Sequence, residues 1–307
     1  TITAGSGGFS LQGGAFPGAP MEFTAMCAFA PYNLENVKQI GYDVLSNRPK
    51  QAAYRAPGSP MAAFAVESII DELCNRLKLD PIDVRLKNAS KEGTKASFGP
   101  KWDRIGLVEC LEAAKQHPHY SAPLKKGQGR GVSSGFWFNH GGETAVTLAL
   151  SEDGTAALSV GTPDIGGSRA SMCQMAAEEL GIPYDKVRTT IADTATLGYN
   201  EVSHGSRVTY ASGLATIKAA RDAVKKLCAR AAKKWNIDEE AVIWEDGFAK
   251  PSGPNAGDFE PIPLAKLTKS MGRTGGPIVG HFEATPEGAG VSFATHIVDA
   301  EVDQETG

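Results

Sequence analysis

Cysteine is scarce in this sequence. Five occur in 307 residues, Cys27, Cys74, Cys110, Cys173 and Cys228, and none forms a CxxC pair. Their odd number and wide spacing exclude a disulfide framework and the usual iron–sulfur or zinc signatures. They read as free, buried thiols in a reducing compartment, the cytoplasm. An excess of basic charge is also missing. Thirty-one Lys and Arg stand against 35 Asp and Glu, for a net charge of −4, so a general nucleic-acid binder is excluded. No run approaches the roughly 18 uninterrupted apolar residues of a membrane helix. His117, His119, His140, His281 and His296 show no metal-ligand spacing, and His204 is the only histidine inside a candidate loop. No metal held by protein side chains is therefore expected. Ser168, His204 and Asp193 could be drawn as a triad, but nothing resembles a nucleophile elbow. No repeat of 20–50 residues is visible.

What is present is a globular composition, 41% apolar, long enough for one large domain or two ordinary ones. GSGGF and QGGAFPGAP in the first 50 residues are loop-like. Residues 59–78 read as a helix. Ser59 offers a cap, Pro60 suits the first turn, and Met61, Ala65, Ile69, Leu73 and Leu77 recur on one face. Asp80-Pro81 opens a second short helix, and IGLVECLEAAKQ reads as a third. The Pro/Gly/Lys-rich stretch HPHYSAPLKKGQGRG (117–131) reads as a boundary. We expect two domains, 1–125 and 126–307. Beyond it, GVSSGFWF alternates weakly, and AVTLAL and TAALSVG flank SEDG as a hairpin. VRTTIAD reads as a strand and Ser206 to Asn236 as the longest helix, whose Lys218, Arg221 and Lys225 form a solvated basic stripe. IVGHFEA and SFATHIVDAEV read as strands. The closing HIVDAEVDQETG ends on a turn signal that should lead into another strand, so both ends read as interior to a longer chain. Helices and strands mix without a regular βαβ rhythm, which predicts an α+β fold.

Three loops carry chemistry. GTPDIGGSRASM (161–172) runs from a Gly-rich turn into a helix. Gly166 and Gly167 permit positive φ and close backbone approach. Free N–H groups at the helix start favour an anion, Ser168 can cap, and Arg169 adds positive charge. There is no GxGxxG and no P-loop lysine. NEVSHGSRVTYASG (200–213) repeats the pattern, with Gly205, Ser206, Arg207 and Thr209. AAYRAPGSP (52–60) places Arg55 before a Pro-Gly turn. Alone, each also reads as an ordinary turn, an N-cap or a surface arginine.

Taken together, AAYRAPGSPMAAFAVESIIDELCNRLKLDPIDVRLKNASKEG (52–93), GTPDIGGSRASMCQMAAEELGIP (161–183), DTATLGYNEVSHGSRVTYASGLATIKAA (193–220) and HIVDAEVDQETG (296–307) resemble, in order and spacing, the molybdopterin-binding large subunit of the xanthine dehydrogenase/aldehyde oxidase family of molybdenum hydroxylases. The resemblance runs from about residue 45 onward. It implies a molybdenum ion on a pterin dithiolene, which in this family is often extended with a nucleotide to a dinucleotide, surrounded by backbone N–H groups, hydroxyls and arginines. Arg55, Ile165, Gly166, Gly167, Ser168, Arg169, Gly205, Ser206, Arg207 and Thr209 would line it. It implies hydroxylation of an aldehyde or N-heterocycle with oxygen from water, a glutamate acting as base. Electrons would leave through iron–sulfur clusters to FAD on partner subunits or domains, in a complex that could be a homodimer. The family's loop usually reads Gly-Gln-Gly where this chain has Asp164-Ile165-Gly166-Gly167-Ser168, with no Gln. The Arg55 loop has no Cys, unlike the carbon monoxide dehydrogenase branch. A GGGFGGK-like loop and the Gly-Glu of the catalytic base have no counterpart here, since Glu283 and Glu287 lack that context. No catalytic residue is thus expected in this chain, which alone should not turn over. The rival readings are a non-catalytic cofactor-binding or subunit-docking piece of a degenerate relative, and a phosphate- or nucleotide-binding protein of another fold.

Overall fold

The computed structural model describes residues 19–42, 55–191, 193–195, 197–288 and 290–307. The loop readings of GSGGF and of residues 12–18 lie outside these. The fold is α+β, as expected, and it divides into two compact units. One joins residues 1–138 to 290–307, and the other is 139–289. The compact units do not follow the 125/126 boundary, because the strand after it pairs with the last strand of the chain.

In the first unit, α1 (Ala19–Ala28), which the composition hid, packs on α2 (Ser59–Leu77). α3 (Pro81–Asn88) is capped by Asp80, whose carboxylate accepts from the N–H groups of Ile82 and Asp83 at 2.9 and 2.8 Å. α4 (Leu107–Gln116) and the short α5 (Pro118–Ser121) follow. Strand β1 (Gln128–Phe138) pairs antiparallel with β9 (Val291–Glu301) along its whole length, from Gln128 opposite Glu301 to Phe138 opposite Val291.

Two expectations for α2 need correction. The cap is Gly58 at φ 87°, and the Ser59 hydroxyl instead donates to the Phe136 carbonyl at 2.9 Å. The buried stripe is Ala62, Val66, Ile70 and Cys74, one residue along from the predicted face, and Leu73 and Leu77 are exposed. The cause lies across the interface. The outer edge of β1 needs acceptors for its N–H groups, and α2 turns Glu67 and Asp71 toward it. Glu67 Oε2 accepts from Ser134 N at 2.7 Å and Asp71 Oδ2 from Val132 N at 2.9 Å. The fully buried Arg85 bonds Glu67 at 2.9 Å and donates to the Val132 carbonyl at 2.6 Å. Tyr32 donates to the other Glu67 oxygen at 2.5 Å, and burial together with that carboxylate pushes its pKa well up. A buried ionic network thus stands where a third strand would be.

The second unit is built on a four-stranded sheet of order β4-β3-β2-β8. β2 (Thr144–Leu150) and β3 (Ala156–Val160) form the predicted hairpin. β3, α6 (Ser168–Leu180) and β4 (Val187–Ile191) form one βαβ unit, with β3 and β4 parallel. α7 (Gly213–Trp235) covers β2 and β8 (Val279–Ala284) with a buried apolar stripe, the small Ala215, Ala219 and Ala223 followed by Leu227. It is preceded by a π-helical turn, Val208–Ser212, within the span read as one helix. The basic stripe does lie outward: Arg221 pairs with Glu179 at 2.7 Å. A small sheet, β5 (Val242–Glu245), β6 (Phe248–Pro251) and β7 (Ile262–Pro263), and the short helices α8 (Leu264–Thr268) and α9 (Met271–Thr274) complete the unit. All five cysteines are free, and burial pushes the Cys27 and Cys228 thiols up to about 11. Among the described residues no helix is long and apolar enough to cross a membrane.

Candidate functional site

The register of the four-stranded sheet decides where its loops emerge. Val160 at the end of β3 lies opposite Val146 near the start of β2 and beside Ile191 at the end of β4. Thr144 at the start of β2 lies opposite Ala284 at the end of β8. The loops 139–143 and 161–167 and the described residues 193–195 and 197–207 therefore open at one end of one sheet. For the parallel pair this is the carboxyl end, where open α/β sheets place ligands. Asn200 ties the loops together. Its side chain accepts from Thr144 Oγ1 at 2.7 Å and donates to the Ala145 and Gly198 carbonyls at 3.2 Å.

The first loop has the predicted glycine geometry. Gly166 and Gly167 lie at φ 67° and 84°, and a Cβ on Gly167 would meet nothing within 4 Å. Ile165 is 55% exposed. Ser168, however, does not cap α6. Its buried hydroxyl donates to Asp164 Oδ1 at 3.3 Å and accepts from Ile165 N at 3.3 Å. The N-cap position is Gly167, and Asp164 supplies an acceptor to the first turn from outside it, because the same oxygen accepts from Arg169 N at 3.1 Å. The Arg169 guanidinium leans on the other Asp164 oxygen at 3.7 Å, with its side chain still 56% exposed. The helix start thus already holds an internal anion. The N–H groups of Gly166, Gly167 and Ser168 donate to no other described residue.

In the second loop, Gly205 and Ser206 are both left-handed, at φ 55° and 58°. Such a conformation strains a non-glycine residue. Ser206 and Thr209 are exposed. Arg207 is not. It is completely buried and turned inward, with its guanidinium donating to the carbonyls of Gly141 (2.6 Å), Glu201 (3.0 Å), Gly142 (3.2 Å) and Glu143 (2.6 Å). Burial lowers its pKa, with Glu201 and Glu143 opposing. It fastens the loop 139–143 to the loop that carries Gly205 and Ser206. The Ser203 hydroxyl in that loop is buried with no hydrogen-bond partner among the described residues. Free amides, open glycine turns and this orphaned hydroxyl fit a group held by backbone and hydroxyl donors rather than by side-chain ligands.

Arg55 belongs to the other unit. Arg55 and Ala56 are both left-handed, at φ 36° and 54°, and Arg55 is exposed. No triad forms, since Ser168 is bonded to Asp164 and the His204 ring to Glu201. Sequence reasoning missed Asp164 as an acceptor for the first turn, Asn200 as a tie, and the pairing of His140 and Glu201 with His204. Asp164 had a local signal, an acid just ahead of the helix start. The others meet across separate loops and had none.

The fold thus brings two left-handed turns, Gly166-Gly167 and Gly205-Ser206, to one end of a mixed sheet. A family profile described as "Molybdopterin cofactor-binding domain" matches residues 109–307, and a second of the same description matches 1–89. The chain belongs to the molybdopterin-binding domains of the xanthine dehydrogenase/aldehyde oxidase family. It is 32% identical over 203 residues to the xanthine dehydrogenase molybdenum-binding subunit of Escherichia coli, covering 61% of this chain and 27% of that one. It is 29% identical over 215 residues to the aldehyde oxidoreductase of Megalodesulfovibrio gigas, covering 65% and 23%. The chain thus spans about a quarter of the length of these two relatives. The crystal structure of the aldehyde oxidoreductase from Desulfovibrio desulfuricans shares the fold, with a TM-score of 0.62 at 21% identity over 94% of this chain and 32% of that one.

Proposed function

We propose that this chain supplies part of the cofactor pocket of a molybdenum hydroxylase. The observation that carries this reading is the opening of two left-handed turns, Gly166-Gly167 and Gly205-Ser206, at one end of one sheet. Bound there, a molybdenum–molybdopterin group supplies the redox chemistry, the hydroxylation of an aldehyde or N-heterocycle with oxygen from water. The residues of the chain bind and orient it. The free N–H groups of Gly166, Gly167 and Ser168 donate to its anionic edge, and the absence of a Cβ at Gly167 lets it approach. Arg169 screens its charge from Asp164, which otherwise repels an anion. Ile165 and Thr209 line the cradle, and the Ser206 hydroxyl donates to the group. Arg207 acts from behind, holding the second turn in place. Arg55 is proposed as a cofactor-binding residue within its own unit. Residues 1–125 and 126–307 are parts of two cofactor-binding domains. No residue here is assigned as the base. Iron–sulfur and FAD subunits or domains would be the electron-accepting partners of a cytoplasmic complex.

The test is molybdenum content by elemental analysis. The intact protein should hold stoichiometric molybdenum, and an active metal-free preparation would sink the reading. Arg169→Ala and Ser206→Ala should each lower cofactor retention. Ser206→Gly relieves the strained φ but removes the hydroxyl, so it should also lower retention if the hydroxyl is the contact. Unchanged molybdenum in all three overturns these assignments.

A further inference from the structure

Two histidines and a glutamate meet behind the second turn. His204 Nε2 lies 3.0 Å from Glu201 Oε1, and His140 Nε2 lies 3.8 Å from the same oxygen. One ligating atom from each of the three side chains lies within 4.8 Å of the others. The two imidazoles face each other with ring centroids 5.0 Å apart and planes inclined by 32°. Among the described residues no other group of three such side chains comes this close.

The scaffold beneath them is fixed. His140 N donates to the Gly205 carbonyl at 2.8 Å and Glu201 N to the Glu143 carbonyl at 3.0 Å. Arg207 bonds the carbonyls of both loops, and its Nε lies 3.9 Å from Glu201 Oε2. Backbone bonds and a buried guanidinium thus hold the two loops that present the three side chains. The ligand side chains themselves stay accessible: His140 is 50% exposed, His204 37% and Glu201 23%. Two neutral imidazoles and one carboxylate make a donor set suited to Zn(II) and its neighbours, and three protein ligands leave a position for water. Bonds of about 2.0–2.2 Å to one ion require the three side chains to close in from separations that are now within 4.8 Å.

We infer that His140, Glu201 and His204 form a binding site for a divalent transition-metal ion of the zinc class. The ion is separate from the molybdenum group, which needs no side-chain ligand from this chain, and the inference stands or falls independently of it. Occupancy fastens the loop 139–143 to the loop that carries Gly205 and Ser206. Arg207 holds the Glu201 backbone carbonyl at 3.0 Å and places a positive charge 3.9 Å from its carboxylate, so it fixes the position of this ligand from behind.

The probe is Co(II), titrated into the purified protein and followed by its visible absorption, with Zn(II) as competitor. We expect one Co(II) per chain, displaced by one Zn(II), and a melting temperature that rises with Zn(II) concentration as binding linkage requires. Loss of a residue bonded to a ligand costs roughly 10–100-fold in affinity, so His140→Ala and His204→Ala should each cost ~100-fold or more. His281→Ala, outside the cluster and bonded to Thr147, should bind Co(II) like the parent. His204→Cys keeps a ligand and should add a sulfur-to-cobalt charge-transfer band, which reports direct coordination even if an alanine variant fails to fold. The inference is overturned if no stoichiometric Co(II) binds. It is equally overturned if the alanine variants bind as the parent does, or if a folded His204→Cys protein binds Co(II) without that band.

Discussion

Arg207 shows how a residue type can be read correctly and its direction wrongly. A Gly-Ser-Arg at a helix start suggests an arginine aimed at an anion, yet the chain spends this guanidinium on four backbone carbonyls. Three of those carbonyls, Gly141, Gly142 and Glu143, belong to a loop some sixty residues earlier in the sequence, which no local pattern reveals. Removing the group strands buried acceptors, so Arg207→Met should destabilise the protein by about 3–5 kcal/mol, measured by urea unfolding. A loss within a few tenths of a kcal/mol would show that the loops hold themselves. The glycines were legible because their requirement is local: Gly166 and Gly167 are left-handed as predicted. Asp164 was readable only as an acid near the loop. That it would accept from Arg169 N in place of Ser168 depends on where the turn points.

At the scale of elements, periodicity located most helices and strands, and the partner surface decided their faces. α2 carries two overlapping apolar series, and β1 chose between them by demanding Glu67 and Asp71 as acceptors. α7 was legible as a long helix, but its π turn was not, because the turn answers to packing against β2. The fit of α7 on β8 is set by Gly280. A Cβ there would collide with the Ala219 carbonyl and lie 2.9 Å from Ala223 N, both backbone. Gly280→Ala should therefore cost about 1–3 kcal/mol, whereas Gly272→Ala, which opens onto nothing within 4 Å, should be near neutral. Equal unfolding midpoints for the two would refute the packing argument. The β1–β9 ladder carries a pH dependence. Arg130 forks onto Asp299 at 2.7 and 2.8 Å, and that hydrogen bond holds the Asp299 carboxyl below the usual carboxylate range. A depressed folded-state pKa contributes stability above the unfolded value of about 3.9, and the contribution is lost as pH falls through the lower folded value. Asp299→Asn should be less stable than the parent at neutral pH, and the gap should close below about pH 4. A gap independent of pH would count against the pair.

For the whole molecule, the α+β class and the family were both readable before any coordinates, since four ordered motifs carry the resemblance. The division into compact units was not, because the last strand pairs with a strand about 160 residues earlier. Residues 139–289 form an insertion into the first unit, and Phe138 and Val291 at its two ends lie directly opposite each other in the ladder. Replacing 139–290 by an Asn-Gly turn should therefore leave β1 and β9 able to close as a hairpin. A cooperative unfolding transition in the shortened protein would show it, and a chain without one would refute it. The same connectivity orders events on the ribosome. The inserted unit has all its strands available once residue 289 has emerged, while β1 must wait for the C-terminal segment before its ladder can form. Synthesis thus completes the inserted unit before the β1–β9 ladder, and until residues 291–301 emerge the growing chain carries an unpaired β1 edge that a chaperone or a neighbouring nascent chain can reach.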